Sequence, residues 1–211
     1  MRSALAMIAC LFVGPVATAG GNCLYVHAVP DPTSSVMRAA CRDAGLAFDE
    51  LDYLPADLSP YEVLVVHVNS FRDWGTPLCD FVEVGGGLMT IGATPYFVGM
   101  PPCIGASSYV NSGGQARVVL GILRTPIPGV HQGDIIQSSN NADPDFGCAA
   151  AGLAGLAPTA RLIAQWEPNP NGPSCGTAVH ALSNRYGDGL HVYLGDTWQY
   201  SAVRGMVSLL I

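Results

Sequence analysis

Lysine is missing from this chain of 211 residues: all nine basic side chains are arginine. A phosphate-cradling P-loop, a Schiff-base enzyme and a Ser-Lys dyad each need a lysine amine, so these chemistries are excluded. Charge of either sign is scarce at 12%, and 16 acidic residues outweigh the arginines to give a net charge of −7. With no basic cluster there is nothing to neutralise a row of phosphates, which argues against nucleic acid and anionic membrane surfaces as partners. Beyond the first twenty residues no apolar run approaches the roughly 20 residues of a membrane span. Zinc-like C-x2-C to C-x4-C spacing is absent, as is any histidine pair at i, i+4. No cofactor is expected.

What the chain has is apolar substance. Hydrophobic residues make up 49% and the mean hydropathy is +0.32, enough to offset chain entropy and build a core. Met1-Arg2, the apolar run Ala4 to Val16, and the small-x-small triplet Ala17-Thr18-Ala19 read as a signal peptide over residues 1–19, with Gly14-Pro15 interrupting any anchor. A secreted or periplasmic protein is therefore expected, with 20–211 as one domain. Cleavage would remove Cys10 and leave Cys23, Cys41, Cys79, Cys103, Cys148 and Cys175. An even number of cysteines in an oxidising compartment predicts disulfides, with the connectivity open.

Apolar runs and helical periodicities alternate along the chain. Leu24 to Val29 reads as a strand ending at Pro30, and a segment capped by Thr33 or Ser34 reads as a helix stopped by Gly45. Phe48–Leu54 and Glu62–Val68 read as further strands, Trp74–Val84 as an amphipathic helix closed by Gly85-Gly86-Gly87, and Leu88–Ile91 as the next strand. This alternation predicts a three-layer α/β fold with a mostly parallel sheet. Residues 98–158 are rich in Gly, Pro, Ser and Asn and offer one clear strand, Arg117–Leu123, so disulfide-stapled loops are expected there. Arg161–Trp166 reads as a strand, and Ala178–Tyr186 with Leu190–Leu194 as a C-terminal hairpin about Gly187-Asp188-Gly189. A closing helix ends on Leu209-Leu210-Ile211, which implies either truncation there or an apolar end packed on the core.

The run Tyr61 to Val66, followed by Cys79-Asp80-Phe81-Val82-Glu83-Val84-Gly85-Gly86-Gly87-Leu88-Met89-Thr90-Ile91-Gly92, resembles the class I glutamine amidotransferase-like superfamily. Its non-catalytic ThuA-like and β-galactosidase-trimerisation-like branches are the more similar. Asn184 to Asp196 is similar to the closing hairpin of those families. The resemblance implies a flavodoxin-like sheet. Active members place a nucleophilic cysteine at the turn after the glycine-rich strand and a His-x-Glu pair near the end. Here the turn is Gly92-Ala93-Thr94, and no His-x-Glu occurs. The resemblance thus implies the fold and argues against amidotransferase activity.

In such a sheet the ligand crevice opens at the carboxyl ends of the first and third strands. That edge would gather Asp31, His67, Asn69, Ser70, Thr94, Tyr96, Asp196 and Trp198, a mixture of short polar groups and aromatic faces suited to a sugar or another small polar ligand. His27 and His67, on inner strands, are more readily explained as satisfied core residues. Asn141, Asp143 and Asp145 alternate in one loop as weak calcium ligands, but the EF-hand glycine and glutamate are missing and an Asx turn is the favoured reading. The expected function is a secreted, non-catalytic binding or accessory module with a carbohydrate ligand. The alternatives are a hydrolase using His67 or Asp196 with Thr94 or Ser70, and a structural or oligomerisation domain.

Overall fold

The computed structural model describes residues 21–27, 34–112, 115–118, 131, 133, 135–138, 150–167, 179–195 and 200–211. The first half builds β1 (Asn22–His27), α1 (Ser34–Asp43), β2 (Ala47–Leu51), β3 (Val63–His67), α2 (Gly75–Glu83), β4 (Gly87–Ile91) and the short α3 (Thr94–Phe97). A 3-10 turn over Pro102–Ile104 leads to β5 (Ala106–Ser112), β6 (Gln115–Val118), β7 (Ile135–Ser138), β8 (Ala150–Leu156), β9 (Ala160–Glu167), β10 (Val179–Tyr186), β11 (Gly189–Leu194) and α4 (Tyr200–Val207).

The sheet runs β2-β1-β3-β4-β11-β10-β9-β6-β7, with β8 pairing both β10 and β5. From β2 to β11 every neighbour is parallel, in the expected flavodoxin-like order. Beyond β11 every pairing is antiparallel. The sheet is therefore mixed, which corrects the mostly parallel expectation. The physical reason lies in residues 106–156, where β5 (Ala-Ser-Ser-Tyr-Val-Asn-Ser) and β8 (Ala-Ala-Gly-Leu-Ala-Gly-Leu) pair with each other over six registered positions. Small and polar residues have poor intrinsic strand preference, and here pairing with a neighbour overrides it. Of the expected Arg117–Leu123 strand, Arg117 and Val118 lie in β6 and the rest outside the described residues.

Alternation along the parallel strands divides two cores. Cys23, Tyr25, Val63, Val65, Met89 and Ile91 face α1 and α4, whose Met37, Ala40, Cys41, Met206 and Val207 cover them. Leu24, Val26, Leu64, Val66 and Leu88 face α2, which contributes Leu78, Cys79, Phe81 and Val82. Helices on both faces make the three layers expected. Helix α1 ends as its glycine requires: Gly45 has φ +80, its N–H donates to the Arg42 carbonyl, and the Leu46 N–H donates to the Cys41 carbonyl, both at 2.9 Å. These are the paired bonds of a Schellman stop, with Leu46 folded back onto the helix. Leu209 and Leu210 pack against the α1-side core, so the apolar end of the chain has a place to lie. No helix among the described residues is long and apolar enough to cross a membrane.

Candidate functional site

His27 and His67 are the last residues of β1 and β3 and stand opposite each other in register. Order reverses at β1, with β2 on one side and β3 on the other, so this pair marks the crevice where ligands enter open α/β sheets. Both histidines point to the α1 face by alternation with Tyr25. The Tyr25 ring stacks on His27 with centroids 5.1 Å apart, and its hydroxyl lies 3.4 Å from His67 Nδ1. Neither histidine is fully buried.

Glu50, in β2, ties the outer wall of this crevice. His27 Nε2 is 2.8 Å from one carboxylate oxygen, while Ser34 Oγ and Arg38 Nη2 each donate to the other at 2.8 Å. Burial acts to raise the Glu50 pKa, but the hydrogen bonds of Ser34 and His27 with the charges of His27 and Arg38 outweigh it and hold the carboxyl below its usual value. The Arg38 guanidinium also lies over the Phe48 ring, 4.9 Å from its centroid. Sequence reading missed Glu50, Ser34 and Arg38. The available signal was the placement of Ser34 and Arg38 one turn apart on one helix face.

On the other side of the rim is an aromatic ledge. Phe71, in the segment after β3, is 67% exposed, and Tyr96, in α3, is 45% exposed. Their centroids are 5.3 Å apart, and Tyr96 in turn lies 5.5 Å from Tyr109 of β5. Phe97 meets both Phe71 and Tyr96 edge-on from beneath. The Arg72 N–H donates to the Phe97 carbonyl at 2.9 Å, which fastens the Phe71 segment to α3. Asn69 is exposed and Ser70 half-buried beside this ledge. Tyr96 was expected at the rim; Phe71 and Tyr109 were not, because a single aromatic in a polar stretch carries no periodic signal.

Thr94 has a different place. It is fully buried, and its Oγ1 donates to the Val66 carbonyl at 3.2 Å and accepts from the Val68 N–H at 3.0 Å. The hydroxyl stitches the end of β3 to the start of α3. The turn before it carries Gly92 at φ +60, the backbone of a sharp strand-to-helix elbow with no side chain on it. Cys103 is 0% exposed and joined to Cys79 by a disulfide that ties α2 to the 3-10 turn. Asn184 of β10 donates to the Cys103 carbonyl at 3.0 Å and accepts from Thr159 Oγ1 at 2.7 Å. Cys23 and Cys41 are thiols in this structure. Asp31, Asp196 and Trp198, the calcium candidates Asn141, Asp143 and Asp145, and the cysteines Cys148 and Cys175 lie outside the described residues. Among the described residues no group of three or more His, Cys, Asp or Glu is arranged to hold a metal ion.

His180 and His191, on β10 and β11, are wholly buried. Burial pushes the pKa of each down to about 3, so both are neutral in the fold. His191 Nδ1 is 3.0 Å from the Ile104 carbonyl and Nε2 is 2.8 Å from Thr90 Oγ1. A donating Nδ1–H and an accepting Nε2 satisfy both contacts. A concavity of about 740 Å³ lies away from this rim, at the amino-terminal end of the strands between Tyr61, Glu62, Asp80, Phe81 and Ile211.

No protein-family model matches the chain and no curated protein is similar to it in sequence. Solved structures do match. A β-galactosidase from Bacillus circulans sp. alkalophilus superposes with a TM-score of 0.54 at 16% identity over 89% of this chain and 30% of its own. The carbohydrate deacetylase Agd3 superposes at 0.56 with 14% identity over 90% of this chain and 32% of its own. Cytoplasmic Protein STM1381 from Salmonella typhimurium LT2 superposes at 0.58 with 11% identity, over 89% of this chain and 98% of its own. The chain thus spans about a third of the length of the two carbohydrate enzymes. At these identities the likeness is one of fold, and it agrees with the amidotransferase-like, β-galactosidase-trimerisation-like resemblance. It also corrects the expected secreted or periplasmic location. A neighbour matched over nearly its whole length is named a cytoplasmic protein, so the fold carries no export requirement, and residues 1–19, on which the expectation rested, lie outside those described.

Proposed function

We propose that this chain is a non-catalytic, carbohydrate-associated binding or accessory module of the ThuA-like or β-galactosidase-trimerisation-like kind, with its glycan held at the carboxyl rim of the parallel strands. The observation that carries the reading is the exposed pair Phe71–Tyr96. Large apolar rings left open beside polar groups mark binding surfaces on soluble proteins, and flat rings suit the apolar face of a pyranose. Asn69 and Ser70 beside them supply an amide and a hydroxyl for sugar hydroxyls. The names of the β-galactosidase and the carbohydrate deacetylase point to the same ligand class. A binding role is favoured over catalysis because Gly92 occupies the elbow, Cys103 is consumed in a disulfide, and the Thr94 hydroxyl is engaged by β3 backbone.

The test is isothermal titration of the protein with a panel of galacto-oligosaccharides and of acetylated and deacetylated polysaccharide fragments. At least one is expected to bind, and Phe71→Ala/Tyr96→Ala is expected to weaken it tenfold or more with an unchanged circular dichroism spectrum. Equal affinity in the double variant would move the site elsewhere. Silence across the panel, together with a mass that rises with concentration, would replace the binding module with an oligomerisation domain.

A further inference from the structure

Two cysteines on the α1 side of the sheet remain to be explained. Cys23 is the second residue of β1 and Cys41 lies in the last turn of α1. Both are 0% exposed and belong to the same core, among Met37, Ala40 and Val63. Their thiols hydrogen-bond each other, and that bond, together with burial, pushes the Cys23 thiol far up from its ordinary value. Each is also held in place by its own backbone. Cys23 stands in register between Phe48 of β2 and Val63 of β3, and the Cys41 carbonyl accepts the N–H groups of Ala44 and Leu46 at 3.1 and 2.9 Å. On the opposite face of the sheet, Cys79 and Cys103 make the same kind of pairing between a helix and the segment packed beneath it.

We propose that Cys23 and Cys41 are a second redox pair among the described residues and close into a disulfide that pins α1 to β1. The oxidant is a small-molecule disulfide of the glutathione class. One cysteine gives up its proton and its thiolate attacks the oxidant, forming a mixed disulfide and releasing one small thiol. The second thiolate then attacks the protein-bound sulfur, forming the Cys23–Cys41 bond and releasing the other. Two electrons and two protons pass to the oxidant, which leaves as two thiols. Thiolate, not thiol, is the attacking form, and the buried core disfavours it, so closure takes place during folding or when α1 lifts from the sheet. One consequence reaches the rim: α1 carries Ser34 and Arg38, the two donors to Glu50, so the covalent pin would fix that wall of the crevice.

Peptide mapping tests this directly, and the arginine-only basic composition helps. The full chain is refolded with oxidised glutathione until Cys79–Cys103 is closed, denatured, alkylated with iodoacetamide and cut after arginine. Arg38 and Arg42 isolate Cys41 in the peptide Ala39–Arg42, while Cys79 and Cys103 share the peptide Asp73–Arg117 and report their own closure. The expected product is Ala39–Arg42 joined to the peptide that carries Cys23, unchanged in a Cys10→Ser chain. Cys10 and Cys23 share the peptide Ser3–Arg38, so recovery of Ala39–Arg42 in alkylated form, joined to a peptide carrying Cys148 or Cys175, or no longer joined to Ser3–Arg38 in the Cys10→Ser chain, would overturn the proposal. In protein kept reduced, Cys23 and Cys41 are expected to take up iodoacetamide only after denaturant is added. Alkylation of both at the native protein's surface rate would contradict the burial on which the pairing rests.

Discussion

The parallel and antiparallel halves of the sheet handle histidine in opposite ways. In the parallel half, His27 and His67 end their strands at the rim, partly open, with Glu50 and Tyr25 beside them. In the antiparallel half, His180 and His191 sit in the hairpin strands without solvent access and are held neutral. The same side chain serves as a surface group where strand ends meet loops and as a packed, uncharged core residue where strands are covered along their length. The halves should therefore differ in their response to acid, and that difference can be pushed until it fails.

Acid is expected to produce the largest effect, and to act through the hairpin. The folded pKa of about 3 for His180 and His191 lies below the unfolded value of about 6.5. Between those two values the unfolded chain binds protons that the folded chain does not. Stability is therefore full above about pH 6.5 and falls as pH drops toward 3. Each histidine contributes a slope of about 1.4 kcal/mol per pH unit inside that window. Urea unfolding at pH 5 and pH 6, where most carboxylates remain ionised, should show this decline. His191→Gln is expected to be less stable at pH 7 but to lose about half of the slope. An unchanged slope in that variant would mean that His191 is protonated in the fold, and the contrast between the halves would collapse.

The two halves also differ in how much of them could be read from the chain. In the parallel half, long apolar strands buried on both faces alternate with helices whose stops are glycines, so Glu62–Val68 and Leu88–Ile91 announced β3 and β4 almost residue for residue. Gly45 did the same for α1. In the antiparallel half, β5 and β8 are built from Ser, Ala and Gly and exist by pairing with each other, information that no local window contains. The candidate site divides similarly. Strand order placed His67, Asn69 and Tyr96 at the rim, whereas Glu50, Phe71 and Tyr109 reach it through packing between segments far apart in sequence. Thr94 was read as a rim group because it follows β4 directly, but the elbow at Gly92 turns its hydroxyl inward to β3.

Next in size is the Cys79–Cys103 disulfide, which fastens α2 of the parallel half to the 3-10 turn, whose Ile104 carbonyl accepts from His191. The bond closes a loop with a sequence separation of 24, and loops of that order are worth about 3 kcal/mol by chain entropy. Cys79→Ala/Cys103→Ala is expected to lower the Tm by about 10 °C, and to bring the acid transition to higher pH because the turn that supports His191 is loosened. A loss of stability with no movement of the acid transition would show that the two halves respond independently.

The smallest effect belongs to the parallel half's edge. Glu50 is held below its ordinary pKa by Ser34, His27 and Arg38 against the opposing effect of burial. A depressed carboxylate pKa contributes stability above the unfolded value of about 4.3, and that contribution is lost as pH falls through the folded value. Because about a quarter of the Glu50 side chain, 26%, stays open to water, screening keeps its worth to less than about 1 kcal/mol. Glu50→Gln is thus expected to leave the acid transition of the hairpin where it was and to change stability at pH 7 by no more than that. In about 1 M salt the difference should vanish, since the Debye length there is about 3 Å. What the substitution should change is local: amide exchange of α1's first turn, where Ser34 and Arg38 lose their shared anchor. A Glu50→Gln chain that unfolds at markedly higher pH would instead make the His27–Glu50 pair part of the acid switch. The parallel rim and the antiparallel hairpin would then respond to acid as one unit, through the strands between them.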